Sequence, residues 1–282
     1  MLHIRHWNII WTLVVFSLFE PASAALPKHN PVPGGVAVVA LNIPSTEKPS
    51  AKFGNREVLV INKNAQWFAL VGLSCDILPG NYIVSAHDPQ LEPIILDFAV
   101  HPLPPAVVNG GKQSSAARNQ VYQVPEQIDN LDLINPAINE RYIVSSKSDN
   151  ATSADYSFSS IVESYYLVPY GKIIHKGKLK THNYVSFLGK PELSVYSPST
   201  AIVLNVSNSD SSGFTVQLDH GNGIISILGH LKTVLVEAGQ LLDQGELVGI
   251  TRRMDDIKGS KLDWGVSLNG SLINPLQFTS AP

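Results

Sequence analysis

Apolar positions in this chain come in short runs broken by Pro, Gly and Asn, not at the three-and-four spacing of an amphipathic helix. In the first half the runs cover residues 36–41, 57–61, 66–72, 81–85 and 94–100, with punctuation such as Leu78-Pro79-Gly80-Asn81 between them. Strands at that interval predict a β sandwich-like domain over residues 30–103. In the second half the runs fall at 194–196, 201–206, 214–219, 223–229 and 262–268, with the turn Asp219-His220-Gly221-Asn222-Gly223 among them. They predict a second β domain over residues 160–279. Residues 104–159 are expected to connect the two. The stretch 101–112 is loose and rich in Pro and Gly, Asn135-Pro136 has the form of a helix N-cap with Pro at the first helical position, and residues 145–153 are a polar joint. The fold class is all-β with a helical connector near residues 135–145.

Ahead of these domains lies an apolar run, residues 9–19, preceded by Arg5 and followed by Pro21-Ala22-Ser23-Ala24. A weakly basic start, a short apolar stretch and small residues in Ala-x-Ala form predict a secretory signal peptide over residues 1–24. A membrane span needs roughly 20 apolar residues, so no transmembrane anchor is expected after cleavage.

Composition narrows the picture further. At 282 residues, with 44% hydrophobic and 15% charged side chains, the chain can bury a sizeable core. A formal net charge of −3 gives no general attraction to nucleic acid. The single cysteine, Cys75, cannot form an internal disulfide, and its apolar surroundings make it a core residue. Trp67 and Trp264 also read as packing residues. Lys172, Lys176, Lys178 and Lys180, with His175 and His182, form a basic run, usually a solvated face. No phosphate-binding glycine loop and no serine-nucleophile elbow occurs.

Three segments of the second domain resemble the lysostaphin-like (LytM-type) zinc endopeptidases of peptidoglycan, in that family's order. They are Asp219-His220-Gly221-Asn222-Gly223 with Gly229-His230-Leu231, then residues 236–249 with Gly239-Gln240, Gly245 and Gly249, then Asp263-Trp264-Gly265 with Asn274-Pro275-Leu276. The resemblance implies the duplicated hybrid motif fold. Pro33-Gly34-Gly35-Val36-Ala37 and residues 66–72 are similar to the β domain that precedes the peptidase domain in some proteobacterial members.

The resemblance also implies where a metal should sit. A hydrolytic zinc takes three protein ligands and a water that it acidifies. In the family the ligands are a His, an Asp four residues later and the second His of a His-x-His, with two further His assisting the reaction. Here His182 keeps the first ligand position, Ser186 replaces the Asp, Lys261 replaces an assisting His, Asp263 replaces the last ligand, and His230 keeps the other assisting position. A hydroxyl is a poor zinc ligand. A lysine ammonium about 4 Å from a dication is repelled by roughly 8 kcal/mol at an effective dielectric of 20. On one strand Lys261 and Asp263 share a face, where they can neutralise each other.

Two functions follow. One is a non-catalytic envelope protein, without cofactor, whose groove of Lys261, Asp263, His182 and His230 binds peptidoglycan or a cell-wall hydrolase, with Lys261 at the groove floor open to a peptide carboxylate. The other is an active zinc endopeptidase in which His182, Asp263 and a residue outside the expected pattern hold the metal, with His230 assisting. In either case the mature chain is expected to begin at Ala25. N-terminal sequencing of the exported protein checks this, and an intact Met1 in the membrane fraction would refute it.

Overall fold

The structure is a computed structural model that describes residues 26–108, 111–112, 123–124, 157–162, 166–175, 177–210, 212–254 and 259–279. The expected signal peptide and connector helix lie outside the described residues. Among the described residues regular structure is almost entirely β, as the short apolar runs require, with a 3-10 turn at Pro275–Gln277. No described helix is long and apolar enough to cross a membrane.

The N-terminal region is a sandwich. Val36–Ala40, Gln66–Gly72 and Leu59–Lys63 form a three-stranded antiparallel sheet with Gln66–Gly72 in the middle. Arg56–Glu57, Ser50–Phe53, Gly80–His87 and Ile94–Val100 form a four-stranded sheet. Val84 and Ala86 point inward while Ile83 and Ser85 stay exposed, the period of two expected of a sheet with one wet face. The core between the sheets includes Ala37, Val39, Val60, Trp67, Val71, Val84 and Phe98.

The three-stranded sheet has no wet face. Val36, Leu59 and Leu70, on its other side, belong to the same buried cluster as Val195, Leu228, Trp264, Val266 and Ile273 of the C-terminal region. Two buried faces explain why residues 66–72 read as an almost unbroken apolar run instead of alternating. Polar contacts tie the two regions along this seam. Asn274 N–H donates to Gly34 O at 2.8 Å, and Arg56 Nη1 donates to Ser271 Oγ at 2.6 Å. Lys172 Nζ lies 3.1 Å from Asp76 Oδ1.

The C-terminal region is built on an eleven-stranded sheet. Its path runs Tyr166–Val168, Val185–Gly189, Gly259–Leu268, Ile224–Val234, Gly213–Asp219, Ala201–Ser209 and Leu241–Leu242. Gly259–Leu268 is central and buried along its whole length. A separate hairpin, Gly171–His175 with Lys178–His182, carries His182 at its end. Part of the stretch expected to be linker has structure: Ala106–Val108 adds to this hairpin as a parallel strand beside Ile173–His175. Its Ala-Val-Val composition favours an extended strand once an edge is available, a pairing that local pattern cannot reveal.

Gly34 shows how closely the two regions approach. Its φ is +82°, and a Cβ there would be driven into the ring of Tyr170. Tyr170 is buried and donates its hydroxyl to Leu272 O at 2.6 Å. Gly34→Ala is therefore expected to lower the unfolding free energy by about 1–3 kcal/mol. Urea denaturation checks this, and an unchanged midpoint would contradict the packing.

Candidate functional site

The central strand Gly259–Leu268 sets the site, because Lys261 and Asp263 sit two residues apart and so share a face. Ser186 is paired with Asp263 across one neighbouring strand, and Gly229 is paired with Asp263 across the other. The next residue, His230, has φ 67°, the left-handed region that non-glycine residues seldom occupy, next to a register shift in Ile224–Val234. In this backbone the His230 ring lies against Asp263, with Nε2 2.9 Å from Oδ2. Holding that conformation costs on the order of 1–3 kcal/mol, an expense typical of functional sites.

Asp263 is fully buried and gathers three groups from three strands. Ser186 Oγ donates to its Oδ1 at 2.5 Å. Lys261 Nζ stands 3.1 Å from Oδ2, beside His230 Nε2. Neither of those two contacts has the direction of a formed hydrogen bond, so Oδ2 is held by charge and proximity. Burial alone would push the carboxyl upward, but the Lys261 charge, His230 and the Ser186 hydroxyl together hold it well below the usual carboxylate range. Asp263 is an anion at neutral pH, and Lys261 is the cation facing it. The ion pair expected from their alternation on one strand is present.

His182 completes the cluster. Its Nδ1 lies 2.7 Å from Pro169 O, which can only accept, so the proton is on Nδ1. Its Nε2 lies 3.2 Å from Ser186 Oγ. The single Ser186 proton goes to the closer and charged acceptor, Asp263, which leaves Nε2 with its lone pair. Burial pushes the pKa of His182 down to about 4, although Asp263 and the Pro169 carbonyl pull it up, so the ring is neutral at pH 7. Tyr184 closes the cluster, with its ring 4.1 Å from that of His182 and Lys261 Nζ 5.5 Å from its centre.

These groups do not fit zinc. Two of them, His182 Nε2 and Asp263, are good donors, but Ser186 contributes a hydroxyl already committed to Asp263 and Lys261 brings a positive charge to the same carboxylate. Among the described residues no group of three or more His, Cys, Asp or Glu side chains is arranged to hold a metal ion.

The structure brings together all five residues singled out from sequence, but not as the open groove expected. Relative exposure is 0% for His182 and Asp263, 1% for Ser186, 2% for Lys261 and 6% for His230. Lys261 is thus no free cation at a groove floor, because its ammonium is turned inward onto Asp263. Of the basic run, Lys172 is bound to Asp76 and Lys178 is exposed. His220, given no role from sequence, reaches Thr200 O at 3.0 Å and Ser226 Oγ at 2.8 Å, and burial pushes its pKa down to about 4. Sequence reasoning missed Pro169 and Tyr184. A backbone acceptor leaves no mark in sequence, and Tyr184 falls between the strand that ends at His182 and the one that begins at Val185, where no strand period applies.

Comparison with known proteins agrees with this architecture. Residues 180–275 match peptidase family M23, and residues 29–100 match the peptidase family M23 N-terminal domain. An uncharacterized metalloprotease of Haemophilus influenzae is 29% identical over 101 residues, 36% of this chain and 21% of that protein. The peptidoglycan DD-endopeptidase ShyA of Vibrio cholerae is 25% identical over 171 residues, 61% of this chain and 36% of that protein. The chain thus spans between about a fifth and about a third of these relatives' length. The crystal structure of an M23 peptidase from Pseudomonas aeruginosa aligns with a TM-score of 0.59 and 24% identity, covering 88% of this chain and 95% of that one. That likeness establishes the fold.

The depressed pKa of His182 has a thermodynamic consequence. An unfolded chain takes up this proton near pH 6.5 and the folded one only near pH 4, so below pH 6.5 the unfolded state binds more protons. Stability present above pH 6.5 is therefore lost as pH falls toward 4, by about 3 kcal/mol for this residue at 1.36 kcal/mol per unit. His220 adds a loss in the same window. Urea unfolding across pH 7 to 4.5 should show it, and His182→Gln should flatten part of the slope. A slope identical to wild type would remove His182 as its source.

Proposed function

We propose that this chain, which carries a peptidase family M23 (LytM-type) domain behind the N-terminal domain of that family, is an exported envelope protein that binds without hydrolysing. Its ligand is peptidoglycan peptide or a wall-remodelling hydrolase. The observation that carries the reading is the buried pair of Lys261 and Asp263 at 3.1 Å, among the residues where the resemblance calls for metal ligands. A hydrolytic zinc needs an open coordination position for water and three donors free to face it. Here the carboxylate is committed to an ammonium and a serine hydroxyl.

What this chain's own residues offer a ligand is backbone. Tyr166–Val168 ends the path of the large sheet, hydrogen-bonded to Val185–Gly189, and Gln123–Val124 lies close to it. An extended segment can add to the end of a sheet through main-chain hydrogen bonds, with neighbouring side chains giving selectivity. This replaces Lys261 as the expected point of contact. Export rests on the form of residues 1–24 and agrees with a wall ligand.

The test uses the purified full chain with isolated peptidoglycan sacculi. The expected result is retention on sacculi that EDTA leaves unchanged, and no release of muropeptide fragments with or without added zinc. One zinc per chain together with chelator-sensitive cleavage would overturn the proposal in favour of a zinc endopeptidase using His182, Asp263 and His230.

A further inference from the structure

We infer that the strand Lys178–His182 is a docking edge that takes an extended acidic segment of a partner protein as a further strand. This goes beyond the wall-binding reading and does not depend on it. The strand forms one edge of a three-stranded sheet whose centre is Gly171–His175 and whose other edge is Ala106–Val108, so among the described residues it is paired on one side. On the other side alternate backbone N–H and C=O groups point away from the sheet, ready for another strand. The edge is held in place before any partner arrives. Ile173, opposite Lys180, is fully buried, His182 is buried with Nδ1 2.7 Å from Pro169 O, and Lys172 is paired with Asp76 at 3.1 Å. A segment already ordered costs less to bind than one that must first be fixed.

Charge selects the occupant. Residues 164–191 contain five lysines and no Asp or Glu, so this part of the chain cannot neutralise itself. Lys172 is answered by Asp76 of the N-terminal region, whereas Lys178 and Lys180 have no acidic partner among the described residues. Two apart on one strand, they share a face, and Leu179 between them faces the other way with 59% of its surface exposed. Lysine on an edge deters pairing with neutral or basic strands. A second copy of this edge is disfavoured for the same reason: a two-fold register centred on Leu179 sets Lys178 against Lys180, and one centred on Lys180 sets that residue against itself. An acidic strand turns the repulsion into attraction. Its pattern follows from the pleat, with acidic residues two apart opposite Lys178 and Lys180 and an apolar residue between them beside Leu179. Main-chain hydrogen bonds then supply affinity, and the charges supply selectivity.

The experiment titrates the full chain into labelled synthetic peptides at low salt and reads fluorescence anisotropy. The probes are a short peptide alternating Glu and Val, one alternating Lys and Val, and one alternating Glu and Pro. The Glu–Val peptide is expected to bind, and added salt to weaken it. The Lys–Val peptide should not bind. The Glu–Pro peptide has the same charge but lacks N–H groups at its prolines, and should bind about tenfold more weakly. Lys178→Glu/Lys180→Glu should weaken Glu–Val binding by about tenfold, as two attractive cross-strand pairs become repulsive. Its Tm should stay close to wild type, because neither side chain is buried. Should that chain fold poorly, Lys178→Glu at the exposed position is expected to lose about threefold. On binding, amide hydrogen exchange should slow within Lys178–His182. Wild type that ignores the Glu–Val peptide, charge-reversed variants that bind it as tightly as wild type, or unprotected amides in that strand overturn the inference. Equal binding of the Glu–Val and Glu–Pro peptides also overturns it, since charge alone would then account for the complex. Binding to vesicles of anionic phospholipid through the same lysines, without binding to the peptide, would make the hairpin a lipid contact and overturn it too. Retention on sacculi is read in parallel, and its loss in wild type counts against the wall-binding reading only.

Discussion

A carboxylate with no access to water must be met by a charge or by several donors, since desolvating an ion costs several kcal/mol even after the protein relaxes. Asp263 is in that position on the central strand of the large sheet. Its needs account for the surrounding chemistry: an ammonium two residues away on the same face, a hydroxyl from the paired residue of the strand on one side, and an imidazole from the strand on the other side, reached through a left-handed backbone. Such a pair adds little net stability compared with apolar residues of the same shape, but breaking it from one side costs about 3–5 kcal/mol. The five residues therefore behave as one unit, and none is free to change alone.

The N-terminal sandwich is not a separate bead on the chain. Its three-stranded sheet is shared between two cores, and its loop after residue 72 reaches the hairpin that carries His182. Cys75 Sγ donates to Asn183 Oδ1 at 2.9 Å, next to both His182 and Tyr184. Asp76 holds Lys172 on the same hairpin. Burial, with the nearby Asp76 charge, pushes the Cys75 thiol up to about 11, which suits a packing and hydrogen-bonding role and not a nucleophile. Pro169, whose carbonyl fixes the His182 ring, is followed by Tyr170, which is wedged against Gly34. The position of the imidazole thus depends on contacts made by residues far earlier in the chain.

By itself the sequence determined the β class, most of the strands, and which five side chains would meet. Alternation and turn residues are local properties, so the strands Gln66–Gly72, Ile94–Val100 and Ser194–Tyr196 were legible within one residue. The period of two also fixed Lys261 and Asp263 on one face. Tertiary structure alone decided the direction of the lysine. Whether an ammonium faces solvent or a carboxylate depends on burial, and burial at residue 261 comes from strands distant in sequence that pair on either side. The same reason hides the strand Ala106–Val108, whose partner lies more than sixty residues on, and the shared core that joins the two regions. Local pattern specifies what each segment can pair with; only the assembled sheet specifies what it does pair with, because loop-separated contacts form through the whole chain's burial of apolar surface.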